Sequence, residues 1–367
     1  MSEVPANNKQ RKPTPKKSFS LQDYKQKNKM SDVPDKPLTW IPLSPSMIDA
    51  TGLPGFAMGY VNLARGFSNT GKSTAICEGI VSAQKISARN DIALPILPII
   101  IDTENNIGRE RLTKMGFDWG GDYIEIDNDY LLENFGKKQN PKRREAAIED
   151  LAACIYHFID EQEAGNLPFH LLFAIDSFGT LDCIRTIDAQ AKDSSDNNMW
   201  NAGAFEKSFK YLLNNTIPSS RKETKEFTNT IIGVQKIWID NMGAGVVKHK
   251  GGETFYYGSR LIYHFGGVAA HGTKKVTGTS KSREIAYGIE TKVSVAKNQV
   301  DGPLGGVSFE GDIISTPHGF IRKDGVDNYK KEHIRFFRDA LGDPNINAGE
   351  IVDRYVEIKQ GESLEIG

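Results

Sequence analysis

Gly66-Phe67-Ser68-Asn69-Thr70-Gly71-Lys72-Ser73-Thr74 fits the pattern G-x-x-x-x-G-K-[ST]. It follows an apolar segment, Tyr60-Val61-Asn62-Leu63-Ala64, and opens a helix-compatible stretch, Ser73–Ser87, so it stands between a strand and a helix. Glycines there let backbone N–H groups wrap phosphate oxygens, and the helix N-terminus adds positive potential. Lys72 can neutralise the β- and γ-phosphates of ATP, and the Ser73 hydroxyl can ligate Mg²⁺. An ordinary glycine-rich turn would need neither the lysine, the hydroxyl nor the strand–helix context.

Working outward, three apolar runs end in polar residues. Pro95–Ile101 ends at Asp102, Phe169–Ile175 at Asp176, and Thr230–Val234 at Gln235. The prolines predict that pairing of the first run is confined mainly to its end. Helical patterns lie between the runs: Ser73–Ser87, and Arg143–Glu163 with Ala147, Leu151, Cys154, Ile155 and Phe158 on one side. Buried strands alternating with helices predict an α/β fold with a mainly parallel sheet flanked by helices, and ligands at the carboxyl ends of its strands. Asp176 then stands where a carboxylate binds Mg²⁺ or its water. Glu104, beyond Asp102, can orient or deprotonate the attacking water if its strand lies next to the loop-bearing strand. The competing reading is that Asp102 or Glu104 caps a helix starting near Asn106–Arg109. Farther on, 285–298 alternates as a half-exposed strand, and Lys330–Leu341 is an amphipathic helix candidate.

Of 367 residues, 38% are hydrophobic and 25% charged, which supplies a core, and the net charge of −1 selects no partner. The charge is uneven. Residues 1–37 hold nine Lys/Arg and four Asp/Glu, and their Pro, Lys, Asn and Gln predict a basic flexible arm. That arm is either a solvated tail or a contact to nucleic acid or a neighbouring subunit. The division is thus 1–37 arm, 38–323 core and 324–367 a short helical segment and tail. Three distant cysteines, Cys77, Cys154 and Cys183, form no disulfide framework and point to a reducing compartment. No apolar run reaches the ~18–20 residues that span a bilayer, and the basic N-terminus is unlike a signal peptide, so a cytoplasmic protein with no membrane partner is expected.

Taken in order, the motifs resemble the RecA-type homologous-recombination ATPases, and among them the phage UvsX-like recombinases. The resemblance covers about residues 48–322. It runs from Gly52-Leu53-Pro54-Gly55 and the Gly66–Thr74 loop through Asp102-Thr103-Glu104 to Ile175-Asp176-Ser177. Gly233-Val234-Gln235 with a following Gly/Lys loop, then Gly251-Gly252 and Tyr256-Tyr257-Gly258-Ser259, continue it. Glu290–Asn298 closes it. The resemblance implies a RecA-like core and a DNA-dependent ATPase using ATP and Mg²⁺. It makes Gln235 a γ-phosphate sensor, Lys297 a lysine that reaches a neighbouring subunit's ATP, and Arg111 the residue in the adenine-stacking position. Gln299 stands where the family has a second such lysine.

The resemblance also implies two mobile DNA loops. The first falls at Ile187–Asn201, polar and aperiodic, where Met199 matches a methionine that wedges between base triplets. Trp200 either stacks on a base or anchors the next helix. The second falls at Lys236–Glu253, where Lys248, Lys250, Gly251 and Gly252 suit phosphate contact without sequence reading, as against a surface loop with incidental lysines. Lys274, Lys275, Lys281 and Arg283 read as a solvated hairpin, with binding of a second duplex as the alternative, and 218–228 as a polar insertion of unreadable role. The implied partners are single-stranded DNA, homologous duplex DNA, further copies in a helical filament, and single-strand-binding and mediator proteins. The cytoplasm would be the host's for a phage protein. The competing functions are a hexameric helicase on the same core and a mediator that binds ATP without hydrolysing it.

Overall fold

The aliphatic runs become strands of one mixed, mostly parallel sheet in the computed structural model, which describes residues 20, 25, 27, 33–89, 94–190, 199–240, 246–249, 253–266, 273–280 and 283–333. Trp40–Pro42 (β1) and Gly55–Ala57 (β2) pair apart from it. The sheet holds Val61–Gly66 (β3), Ile96–Asp102 (β4), Ile124–Ile126 (β5), His170–Asp176 (β6), Asn229–Asp240 (β7) and Val246–His249 (β8). It continues with Leu261–Phe265 (β9), Thr273–Ser280 (β10), Arg283–Asn298 (β11), Glu310–Thr316 (β12) and Gly319–Ile321 (β13). The order is β13-β12-β11-β9-β3-β7-β6-β4-β5, with β10 on β11 and β8 on β7. From β5 to β9 every pairing is parallel, and the remainder are antiparallel.

Both faces are covered, as a parallel sheet requires. The principal helices are Pro45–Thr51 (α1), Lys72–Ser87 (α2), Arg109–Lys114 (α3), Ile148–Glu163 (α4), Ile184–Gln190 (α5), Met199–Tyr211 (α6), Thr254–Gly258 (α7) and Val326–Glu332 (α8). Ile76 and Ile80 of α2 pack with Ala64, Ala174, Ile232 and Val234 on one face. On the other, Leu151, Ile155 and Phe158 of α4 and Phe205 and Phe209 of α6 meet Leu63, Ile99, Phe173 and Ile231. Gly233 leaves room for the Phe178 ring, whose Cε2 lies 2.1 Å from where a Cβ would be. Phe178 in turn stacks on Phe255 at 3.7 Å.

Several expectations are corrected. Pairing of β4 is not confined to its end: β6 pairs it throughout, Pro98↔Leu172 included. Alternate residues of a parallel strand bond to opposite sides. His170 N–H donates to Pro95 O, which turns the donor position of Pro98 toward β5, and β5 pairs only from Ile99. The missing N–H therefore breaks no ladder bond. The helix predicted from Arg143 starts at Ile148, because Arg143 turns inward as the counter-ion of the fully buried Asp150. Asp150 also accepts the Ala147 N–H at 2.8 Å and so closes the helix start. The C-terminal helix spans Val326–Glu332, fixed by buried Tyr329, whose hydroxyl meets His318 Nδ1 at 2.8 Å. The rest of the predicted Lys330–Leu341 helix, from 334 onward, lies outside the described residues.

The 218–228 insertion holds the chain that leads into β1. Lys36 N–H donates to Arg221 O, Glu223 N–H donates to Pro34 O, and Lys36 Nζ reaches Glu226 O and Thr228 Oγ1. Asp35 pairs with Lys222 at 2.9 Å. Residues 33–36 of the predicted arm therefore lie against the core, and most of 1–32 falls outside the described residues. Among the described residues no helix is long and apolar enough to cross a membrane. The three cysteines are buried and free.

Candidate functional site

The Gly66–Thr74 loop leaves the carboxyl end of β3 between two parallel neighbours, with Gly66 opposite Lys236 on β7 and Phe265 on β9. Gly71 takes φ +98°, a left-handed conformation that favours glycine, and a Cβ there would sit 3.0 Å from the Phe320 ring. Helix α2 begins at the next residue. The loop walls a cleft of about 350 Å³ with Asn106, Arg111, Asp176, Lys236 and Ser315. Ser68, Asn69, Thr70, Gly71, Lys72, Ser73 and Thr74 line it, while Gly66 and buried Phe67 are not among its lining residues. Lys72 is buried, and its Nζ donates to Phe67 O, so an ammonium is held at the cleft floor by a backbone carbonyl. Burial pulls that ammonium down to about 8.

Ser73, in the first turn of α2, donates its hydroxyl proton to Asp176 Oδ2 at 2.6 Å. Asp176 has no solvent exposure, and its Oδ1 has no hydrogen-bond partner among the described residues. Burial, first, with the charges of Glu104 and Asp102 adding to it, pushes the Asp176 carboxyl up to about 6. An orphaned buried carboxylate oxygen beside a hydroxyl is a donor set that suits Mg²⁺, which takes few protein oxygens and completes its shell with water and phosphate. Among the described residues there is no group of three or more His, Cys, Asp or Glu that could hold a metal ion.

Glu104 was expected on a strand next to β3. It is not: β7 and β6 stand between β3 and β4. The turn after β4 brings it beside the cleft, where it pairs with the lining residue Lys236 without lining the cleft itself. Asp102 accepts N–H bonds from Glu104 (3.2 Å), Asn106 (3.1 Å) and Ile107 (2.7 Å), and Asn105 takes φ +55°. Asp102 thus organises this turn, but neither acid caps the helix: α3 starts at Arg109 with Gly108 as its N-cap and no side-chain cap. Thr103 ties the turn to β6, its N–H donating to Asp176 O at 2.9 Å. The Glu104 carboxylate, 6% exposed, accepts from Ser177 Oγ at 2.5 Å and Asn106 Nδ2 at 2.6 Å, and pairs with Lys236 Nζ. Reasoning from sequence missed Lys236, although it directly follows Gln235 at the end of an apolar run. It also missed Ser315, which meets Thr74 Oγ1 at 2.6 Å and carries no sequence signal.

The other expected residues divide. Arg111 does line the cleft, its guanidinium donating to Thr74 Oγ1. Gln235 is buried in β7 opposite Arg65 and is not among the cleft's lining residues, although its neighbours Val234 and Lys236 are. Lys297 sits away from this cleft, opposite Ile262 on β9, and donates to Tyr256 O (3.0 Å) and Tyr257 O (3.1 Å).

In the two segments expected as DNA loops, the described parts are helix and strand. Part of Ile187–Asn201 is helical, in α5 and from Met199 in α6, and 191–198 lies outside the described residues. Trp200 packs against the core with Arg185 over its ring at 3.0 Å, the anchor reading rather than the stacking one. In Lys236–Glu253, β7 runs on to Asp240 and pairs with β8, Trp238 opposite Lys248. This is a hairpin because Ile237 is buried and carries the strand's alternation past Gln235. Lys250, Gly251 and Gly252 lie outside the described residues. Lys274 and Lys275 are exposed on the β10–β11 hairpin, as expected.

Comparison with protein-family models gives no match, and comparison with curated proteins gives none either.

Proposed function

We propose that this chain is an ATP-dependent recombinase with a RecA-like core, which assembles on single-stranded DNA and promotes homologous pairing. One observation carries the reading: a loop lysine and a hydroxyl–carboxylate pair line one cleft at the sheet's carboxyl edge, and a second carboxylate, Glu104, is held beside it by Lys236 of the lining. Ser73 and Asp176 would hold Mg²⁺, which when bound offsets charge on the β- and γ-phosphate oxygens. The loop N–H groups and Lys72 cradle the phosphates. Glu104 takes a proton from water, whose oxygen forms the new bond to the γ-phosphorus. The bond from that phosphorus to the β,γ-bridging oxygen breaks, and ADP leaves with the electron pair. Gln235 and the β7–β8 hairpin share one unbroken strand, which supports coupling between nucleotide state and the DNA-facing segment.

Electron microscopy with single-stranded DNA and a non-hydrolysable ATP analogue tests the reading. Helical filaments are expected. Closed rings would favour the helicase, and neither form would refute assembly on DNA.

A further inference from the structure

Lys236 occupies a position that neither the motif pattern nor the ATPase reading assigns. Its backbone is fixed opposite Gly66, and its side chain lines the cleft that holds Lys72 and Asp176. Its ammonium pairs with Glu104, although the lysine is 32% exposed and the carboxylate 6%. The next two residues open the hairpin: Ile237 is buried and opposite His249, and Trp238 is 43% exposed and opposite Lys248. One residue thus touches the carboxylate that would activate water and begins the segment that would face DNA.

A carboxylate that holds a cation and accepts from Ser177 and Asn106 is a poor base, because the cation stabilises its charged form and the donors occupy its lone pairs. We propose that Lys236 is a positioning residue that latches Glu104, and that an unpaired strand bound along the β7–β8 hairpin draws the ammonium off the carboxylate toward the phosphates. ATP turnover would thereby depend on DNA. The inference rests on the proposed reading of this cleft as an ATPase site and of the hairpin as its DNA-facing segment.

The test is steady-state ATP turnover by the full chain with and without a single-stranded oligonucleotide, for wild type and Lys236→Met. Freeing the carboxylate raises DNA-independent kcat about tenfold, the scale of one pH unit in a base's affinity for its proton. Stimulation by DNA falls by a similar factor, and the change resides in kcat rather than KM. Lys236→Arg, which can hold the same carboxylate, recovers most of the stimulation, and a general packing role would not produce that recovery. Lys236→Gln, run alongside, keeps the measurement available if the methionine variant is insoluble. A DNA-independent kcat at or below the wild-type value in the variants overturns the latch and leaves the ATPase reading intact. A wild-type chain that hydrolyses no ATP with or without DNA overturns both.

Discussion

Replacing Asp176 by Asn should make the nucleotide-free protein more stable while removing Mg²⁺-dependent nucleotide binding. Burial holds this carboxyl up at about 6, against 3.8 for an ordinary aspartate. A rise of about two pH units corresponds to ~3 kcal/mol by which the fold disfavours the ionised form. The sign follows from proton counting. Between 3.8 and about 6 the folded chain binds the proton more tightly than the unfolded chain, so this group's contribution falls as pH rises. The penalty is absent below the lower value and complete above the upper one. Asn carries no charge to desolvate and keeps an acceptor for the Ser73 hydroxyl, although its new N–H groups give back part of the gain. With a urea slope of about 3 kcal/mol/M, the variant's midpoint should lie up to ~1 M higher at pH 7.5, and the two proteins should converge at pH 4. A variant that is less stable at pH 7.5, or a difference that does not change with pH, would refute the account of a strained, metal-ready carboxylate.

Three further outcomes are expected. Glu104→Gln should keep ATP affinity yet cut turnover about a hundredfold or more, read in single-turnover assays, and near-normal hydrolysis would remove Glu104 from the reaction. Arg143→Ala should cost about 3–5 kcal/mol in chemical denaturation, because it strands the Asp150 charge in a site with no solvent. Trp200→Ala should cost about 2 kcal/mol of stability through lost packing and the Arg185 contact, with single-stranded DNA affinity at fixed salt within about twofold of wild type.

The phosphate-loop motif and the apolar runs were enough to place β3, β6 and α2, because each is buried on both faces and bounded by polar residues. Asp176 was legible for the same reason: it is the first charged residue after a run of buried ones. Glu104 was legible by type but not by route, since its reach depends on Asp102 gathering three N–H groups rather than on strand adjacency. Prolines misled at β4 because a missing donor matters only on a paired side. Glycines misled at Lys236–Glu253, where they drew attention from the alternation of Ile237, Trp238, Ile239 and Asp240 that makes a strand. Trp200 had no readable period around it, so only tertiary packing could assign it to the core.

The mooring of residues 33–36 has a mechanical consequence. Ser220 Oγ accepts the N–H of Asn229, the first residue of β7, so the fastened turn is stitched to the start of that strand at 2.8 Å. Gln235 and Lys236 lie six and seven residues along it, about 20 and 23 Å away at ordinary strand rise. A pull on the leading segment therefore loads β7 from its first residue, and β7 is the strand that carries Val234 and Lys236 of the cleft.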